Sequence, residues 1–402
     1  MSRFLSVIPV TDAVAAAEKI APPVKTEHVP VEQSAGRVLA SDIVADSDIP
    51  GFDRSIVDGY AVRAADTAGA SDAVPAILHC TGRVAMGSPD PGHTVTHGTC
   101  VYTPTGGVMP QGADAVVMVE NTEEAGETVL VRRPVSFGEN TLLRDDDFRQ
   151  GETVLPAGRL LSPQDTGVLA ACGCVSVPVA QKPVVGIIST GNELVPVSSR
   201  PGPGQVRDVN APMLAAYLRE YGCIPRIYGI VRDERESFEA TIATALPECD
   251  VIIISGGSSK DDRDMTSAVI AGAGEVLVHG IAIAPGKPTI IGLIGKKPVF
   301  GLPGHPAAAF VVLIAIVCPQ LDRMLGLTKP RFRTTRAVLG ESIPSQKGRE
   351  EYIRVRCADG IAYPVFGKSG LLHTLIRSEG LIRIPSVCEG FEKGMSVEVI
   401  LW

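Results

Sequence analysis

The sequence is poor in aromatic residues. Tyr, Phe and Trp together make up 4% of 402 residues, and the one Trp is the last residue. So few rings exclude the stacked-base platforms on which single-strand nucleic-acid binders rely. Positive charge is scarce too: 37 Lys and Arg stand against 45 Asp and Glu, for a formal net charge of −8. Such a chain gains no bulk electrostatic grip on a polyanion, so no nucleic-acid partner is expected. An anionic ligand would need local basic residues and backbone amides. No disulfide framework is legible. The nine Cys are odd in number and scattered from Cys80 to Cys388; only Cys172-x-Cys174 is close-set, and it lacks the second pair of a zinc site. Free thiols in a reducing cytosol are the simplest reading, hence a cytoplasmic protein. Met1-Ser2-Arg3 leads into no sustained apolar core, so no signal peptide is expected. The most apolar run, 307–317, is too short to span a bilayer and ends at Pro319; it reads as a buried helix, with no membrane partner. No internal repeat or low-complexity tail is evident.

What the chain does have is apolar material for several cores. Hydrophobic residues make up 45%, charged residues 20%, with 42 Gly and 31 Pro. Length and composition predict two to four domains built from turn-rich β and α/β modules. The clearest pattern lies at 184–317. Three short apolar runs there, Val184-Val185-Gly186-Ile187-Ile188, Val251-Ile252-Ile253-Ile254 and Pro298-Val299-Phe300, read as strands buried on both faces. They break at Ser189-Thr190-Gly191-Asn192-Glu193, at Ser255-Gly256-Gly257-Ser258-Ser259 and at Gly301-Leu302-Pro303-Gly304-His305-Pro306. Helical periodicity over 211–221 and 307–325 alternates with them, which argues a doubly wound α/β domain. In such sheets ligands bind beyond the carboxyl ends of the strands. Glycine there lets N–H groups converge on an anion; ordinary βα turns carry the same residues. The acids Glu193, Asp261, Asp262 and Asp264 lie close by.

Around this unit the signals are shorter. Thr11 and Asp12 cap a predicted helix that Pro22-Pro23 stops; 27–31 reads as a strand and 32–39 as a helical turn entering the next. The segment 48–61 mixes turn residues with acids and Arg54, as a surface loop does. From 76 to 135, runs at Cys100, Val116 and Val129 between Gly and Pro turns predict an inserted β domain. His93-x-x-x-His97 has a metal-like spacing, but Gly92 and Gly98 argue against the helix it needs. Asp145-Asp146-Asp147 either binds Mg²⁺ or solvates a turn. A short helix is expected at 162–171, a flexible excursion at 196–204, and a small β barrel or sandwich from Lys329 on.

Several of these stretches together resemble one family. Pro50-Gly51-Phe52-Asp53-x-Ser55-x-x-Asp58-Gly59-Tyr60-Ala61, Thr105-Gly106, Pro110-x-Gly112-Ala113-Asp114 and Ser189-Thr190-Gly191-x-Glu193-Leu194 are similar to motifs of the MoeA family. So are Ser255-Gly256-Gly257, Pro285-Gly286-Lys287-Pro288 and Gly301-Leu302-Pro303-Gly304-x-Pro306, in the family's order along essentially the whole chain. This family comprises the molybdopterin molybdenumtransferases and includes the gephyrin E domain. The resemblance implies a central MogA-like molybdopterin-binding α/β domain at 181–328, with the helix of 1–26 packed on it. It further implies a linker domain at 27–47 and 141–180, an inserted β domain at 48–140 and a C-terminal β barrel at 329–402. It implies a homodimer in which the inserted domain of one subunit approaches the central domain of the other. The expected reaction is ligation of molybdate to the dithiolene of adenylylated molybdopterin, with Mg²⁺-dependent release of AMP. A molybdopterin-adenylyltransferase and apo-molybdoenzymes are the expected partners.

Carried over by motif, the resemblance implies catalytic roles for Glu193, Asp264 and Asp58 and metal ligation by Glu193, Asp233, Asp264 and Asp147. It implies cofactor contacts from Thr105, Gly256, Gly257, Ser258, Lys287, Pro303, Gly304 and Ser369, the last from a loose match of Gly367-Lys368-Ser369-Gly370. Lys287 and the loop amides would offset pyrophosphate charge, and a hard cation would take the carboxylates. Four positions depart from the family: Asn192 for an Asp, Ala284 for a Lys, and Arg54 and His305 each for an Asn. They admit alternatives: a non-catalytic molybdopterin carrier, a tungstate-preferring enzyme, or a MogA-like adenylyltransferase.

Overall fold

The computed structural model describes residues 7–88, 92–256 and 262–402, with backbone only at 262–264. The chain forms two compact units. One comprises Met1–Ser41, Ala157–Pro163 and Ser176–Trp402, the other Asp42–Pro156 and Gln164–Val175.

The larger unit opens with helix α1 (Val10–Lys19), which buries Val10, Ala13 and Ala17 on one face. It starts earlier than its sequence signal. Pro9 precedes it without a side-chain cap, so Thr11 and Asp12 lie inside the first turn, where Asp12 faces the positive end of the helix dipole. The following strand, Thr26–Pro30, pairs antiparallel with Ser176–Ala180.

The smaller unit contains a six-stranded sheet. Its strands are β1 (Gly59–Val62), β2 (Ala76–Arg83), β3 (Thr99–Thr103), β4 (Ala115–Met118), β5 (Thr122–Ala125) and β6 (Thr128–Val131), in the order β4-β1-β3-β2-β6-β5. All pairs are antiparallel except β2 with β3. Tyr60, Val62, Leu78, Val117 and Val129 share its core. The end of the 48–61 segment is therefore no surface loop. β1 is buried along its whole length between two neighbours, and the Tyr60 ring meets Tyr102 edge-on at 5.6 Å.

The larger unit resumes with a second six-stranded sheet. It contains β7 (Val184–Thr190), β8 (Ile224–Val231), β9 (Val251–Gly256), β10 (Glu275–His279), β11 (Ile290–Ile294) and β12 (Lys297–Leu302), ordered β8-β7-β9-β12-β11-β10. The first four run parallel; β11 and β10 are antiparallel additions. The sheet is covered on both faces by α2 (Asn210–Glu220), α3 (Arg235–Ala245), α4 (Asp262–Ala273) and a long helix from residue 306. Period-two alternation sorts its residues. Val185, Ile187, Val251, Ile253 and Phe300 join α1, α2 and the long helix in one core. Ile188, Ile252, Ile254 and Val299 join α3 and α4 in another.

The long helix is α5 (Pro306–Val312), a π-turn (Leu313–Val317) and α6 (Cys318–Leu325). Pro319 does not end it. The π-turn immediately before widens the backbone ladder, and Pro319 falls in the first turn of α6, where its missing N–H and its ring are tolerated. Among the described residues, Pro306–Leu325 is the one helix long and apolar enough to cross a membrane, and 83% of its most apolar window is buried inside the protein.

The chain ends in a closed β barrel: β13 (Arg333–Leu339), β14 (Glu350–Ala358), β15 (Ile361–Pro364), β16 (Gly380–Ile384) and β17 (Ser396–Leu401), joined β14-β15-β13-β17-β16 and back to β14. Of the two readings left open, barrel and sandwich, closure selects the first.

Candidate functional site

Parallel β7, β9 and β12 deliver their carboxyl ends to one side of the sheet, and a cavity of about 850 Å³ opens there. Two glycines shape it. At Gly256, the last residue of β9, φ is +132°, and a Cβ would fall 1.8 Å from the Thr190 carbonyl oxygen. No other residue fits so close an approach of two strand ends. At Gly191 a Cβ would fall 2.6 Å from Oε2 of Glu193, so the bare backbone leaves that carboxylate room to lie against it. Glu193 lines the wall, and its carboxylate has no partner among the described residues.

The floor is a buried polar network. Asp208 accepts from the Ser189 hydroxyl at 2.6 Å and from the Ala211 N–H at 3.1 Å, so it braces β7 and caps α2 together. Asn210 donates through Nδ2 to Ser255 Oγ and to the Gly304 carbonyl, each at 2.8 Å. A carbonyl can only accept, which fixes the amide's orientation. One side chain thereby ties the ends of β9 and β12. Asp208 and Asn210 were missed by sequence reasoning; the available signal was an Asp-x-Asn pair just before a periodic helix. The 196–204 excursion is anchored at its base by parallel pairing of Leu194–Val195 with Val206–Arg207, and Pro201 and Gln205 contribute to the wall.

The expected site residues divide. Gly256, Gly304 and Glu193 line the cavity, while Pro303 is buried behind the wall. Asp233 is a brace. Its Oδ1 accepts from Thr190 Oγ1 at 2.7 Å and its Oδ2 from the Asn192 N–H at 3.1 Å, and the Asn192 amide oxygen accepts back from the Asp233 N–H at 3.3 Å. An Asp at position 192 would set a second negative charge beside this carboxylate. Lys287 is exposed on the loop that follows the cis Ala284–Pro285 bond, outside the walls of this cavity. Gly257 and Ser258 lie outside the described residues, as does the side chain of Asp264.

Asp58, Thr105 and Asp147 belong to the smaller unit. Asp58 Oδ1 accepts from the Thr105 N–H at 2.8 Å and from its hydroxyl at 3.1 Å. In the Asp145-Asp146-Asp147 run, Asp145 pairs with Arg149 at 3.0 Å and Asp146 accepts from the Leu143 N–H at 2.7 Å. Asp147 keeps an uncommitted carboxylate among the described residues. His97 pairs with Asp66 at 2.7 Å. Among the described residues no three His, Cys, Asp or Glu side chains gather as a metal-holding group.

A second cavity in the larger unit, about 260 Å³, lies between the cis-proline loop (Ala284, Pro285) and the barrel. Arg354 of β14 lines it. The residue is 6% exposed, its Nη2 donates to the Gly367 carbonyl at 2.8 Å, and its Nε is buried without a partner among the described residues. No carboxylate pairs with it among the described residues, and burial pulls its pKa below the ordinary guanidinium value. A buried, unpaired charge is costly in an empty site and suited to an anion. Nothing local separates Arg354 from Arg356, which is exposed two residues later. Ser369 lines the same small cavity. Its hydroxyl lies 2.9 Å from Nδ1 of His305, which lines the large one, and its carbonyl accepts from the Ala307 N–H in the first turn of α5. The two cavities adjoin across this hydrogen bond.

Comparison with known proteins matches all of these regions. A family profile of the MoeA N-terminal region (domain I and II) matches residues 8–173, one described as a probable molybdopterin binding domain matches 186–323, and one of the MoeA C-terminal region (domain IV) matches 336–402. The molybdopterin molybdenumtransferase of Bacillus subtilis (strain 168) is 35% identical over 404 residues, covering 98% of this chain and 94% of its own. That of Staphylococcus aureus (strain COL) is 32% identical over 379 residues, covering 93% and 90%. Among solved structures, the molybdopterin biosynthesis moeA protein of Pyrococcus horikoshii OT3 superposes with a TM-score of 0.87 at 34% identity, over 99% of this chain and all of its own.

Proposed function

This chain belongs to the MoeA family of molybdopterin molybdenumtransferases, enzymes of molybdenum cofactor biosynthesis, and from that premise we propose that its two adjoining cavities divide the substrates. Adenylylated molybdopterin occupies the large cavity at the strand ends. Molybdate occupies the small one, held by Arg354 and Ser369. The reaction joins the molybdate to the dithiolene and hydrolyses the adenylate, releasing AMP. The observation that carries this reading is the buried guanidinium of Arg354: a cation without a carboxylate among the described residues, in a small cavity one hydrogen bond from the strand-end site. Tungstate, with the same shape and charge, fits the same donors.

Mg²⁺, when bound, would be held by Glu193 with Asp264 and would supply charge neutralisation at the adenylate phosphorus. The free carboxylate of Glu193 fits a hard cation, whereas both oxygens of Asp233 already accept hydrogen bonds. The chain's own residues do the rest. The Gly256 and Gly304 loops, tied by Asn210, approach the phosphates closely, Lys287 adds positive charge from the adjoining loop, and Glu193 orients the attacking water. The reading includes a cytoplasmic homodimer; a reducing compartment preserves the nine free thiols.

The test is Arg354→Met, which keeps side-chain bulk and removes the charge. A charge-assisted contact is worth roughly 1.5–3 kcal/mol, or about ten- to a hundredfold. With Mg²⁺ present and AMP release followed, KM for molybdate should rise by that factor, while affinity for the adenylylated pterin stays within about threefold. An unchanged molybdate KM would sink the assignment.

A further inference from the structure

We propose that His305 makes oxyanion capture in the small cavity a proton-coupled step, with its imidazolium setting the hydrogen-bond polarity of Ser369. The proposal rests on the assignment of molybdate to the Arg354 cavity. A serine hydroxyl carries one proton and two lone pairs. When Nδ1 of His305 is bare, the 2.9 Å contact is satisfied only by Ser369 donating to it. The Ser369 oxygen then presents lone pairs alone to the cavity it shares with Arg354, and lone pairs repel an anion. When Nδ1 carries a proton, His305 donates to Ser369 Oγ, and the hydroxyl proton is free to turn toward the anion. The neutral ring can make that donation only as the Nδ1–H tautomer, which brings no charge. The imidazolium brings the donation and a positive charge together. Binding a divalent tetrahedral oxyanion therefore draws a proton onto His305 from solvent, to which this ring is exposed. No covalent bond changes in the step: one proton moves from water to the imidazole.

The surroundings leave this role to His305. Glu193, Arg207 and Asp208 line the large cavity with it, and Arg354 and Glu351 line the small one. Lys368 precedes Ser369, and His373 begins the short helix after it. Of these side-chain types, imidazole alone ordinarily changes charge between pH 5 and 8, so His305 and His373 are the groups to separate. The Ser369 loop is itself held in place, because its backbone carbonyl accepts from the Ala307 N–H at 3.0 Å. The hydroxyl rotor is what His305 controls.

The experiment is calorimetric titration of sodium molybdate, at sub-millimolar concentration, into the full-length protein at about pH 6 and about pH 8, in two buffers of different ionisation enthalpy. The wild type, His305→Asn, His305→Gln and Arg354→Met are compared. The amides donate a hydrogen bond of similar reach without titrating. The wild type should bind about tenfold more tightly at the lower pH, with net proton uptake read from the buffer dependence. Both effects should vanish in His305→Asn and His305→Gln while binding persists. A slope that survives in both amide variants, or no proton uptake by the wild type, overturns the coupling. If Arg354→Met leaves binding unchanged, or the wild type does not bind, the oxyanion assignment fails and the coupling fails with it. If Arg354→Met weakens binding and the wild type is pH-independent, the coupling alone fails.

Discussion

Two carboxylates near one turn carry different duties. Asp233 spends both oxygens on Thr190 and Asn192, while Glu193 lines the cavity and its carboxylate has no partner among the described residues. A free carboxylate in a ligand cavity acts on charge or water as the reaction proceeds, so its loss should appear in kcat. Glu193→Gln is therefore expected to slow AMP release by about a hundredfold or more, while affinity for adenylylated molybdopterin shifts by less than about threefold. Single-turnover AMP release beside equilibrium binding checks this. Turnover at the wild-type rate removes Glu193 from the chemistry. Removing Asp233 instead would break two hydrogen bonds of the turn that presents Glu193, which is a structural effect.

Between elements, the helix pair α2 and α6 holds an unusual acid. Asp322 in α6 accepts from the hydroxyl of Tyr221, just past α2, at 2.6 Å and from the Arg331 N–H at 3.3 Å. Burial raises its pKa from 3.8 to about 6; the two hydrogen bonds and the nearby Arg331 charge only partly oppose this, and Glu18 adds to it. A folded-state pKa above the unfolded one means the fold prefers the neutral acid. That stabilisation is complete below about pH 4 and is lost as pH rises through about 6. Asp322→Asn, neutral at every pH, should gain stability relative to the wild type by on the order of 2–3 kcal/mol between about pH 4.5 and pH 7.5. Urea titrations followed by Trp402 fluorescence report on this unit, since that ring meets Phe310 edge-on at 5.4 Å. A difference that stays flat with pH would show that Asp322 is charged in the fold.

At the scale of the molecule, the positions implied for one reaction are divided between two compact units: Asp58, Thr105 and Asp147 in the smaller, Glu193, Asp233 and Ser369 in the larger. That division is the reason to propose two cooperating copies. The expected mass in solution is about twice the 42.1 kDa chain at micromolar protein. Light scattering that returns the chain mass at such concentrations would count against the homodimer and against any site that needs a second subunit.

Much of this was already legible in the residues, because it depends on near neighbours along the chain. Continuous β-branched runs can only be strands covered on both faces, so β7 and β9 followed from their own composition. The periodicity over 211–221 fell within a residue of α2, and Gly256 marked a close approach that only glycine permits. Motif order along the whole chain placed it in its family. Other features rest on partners far away in sequence. Arg354 and Arg356 look alike in the sequence, yet only Arg354 turns into a cavity closed by residues 284–285 and 369. Glu193 and Asp233 were equivalent candidates until Thr190 and Asn192 claimed Asp233. Pro319 read as a helix stop, but the preceding π-turn carries the helix past it. Asp208 and Asn210 lay beside a helix start like any capping pair, and the link between β9 and β12 exists only once Ser255 and Gly304 are brought within hydrogen-bond reach. Local preference determines which elements form; burial and the identity of a distant partner decide which of several similar side chains is left free to act.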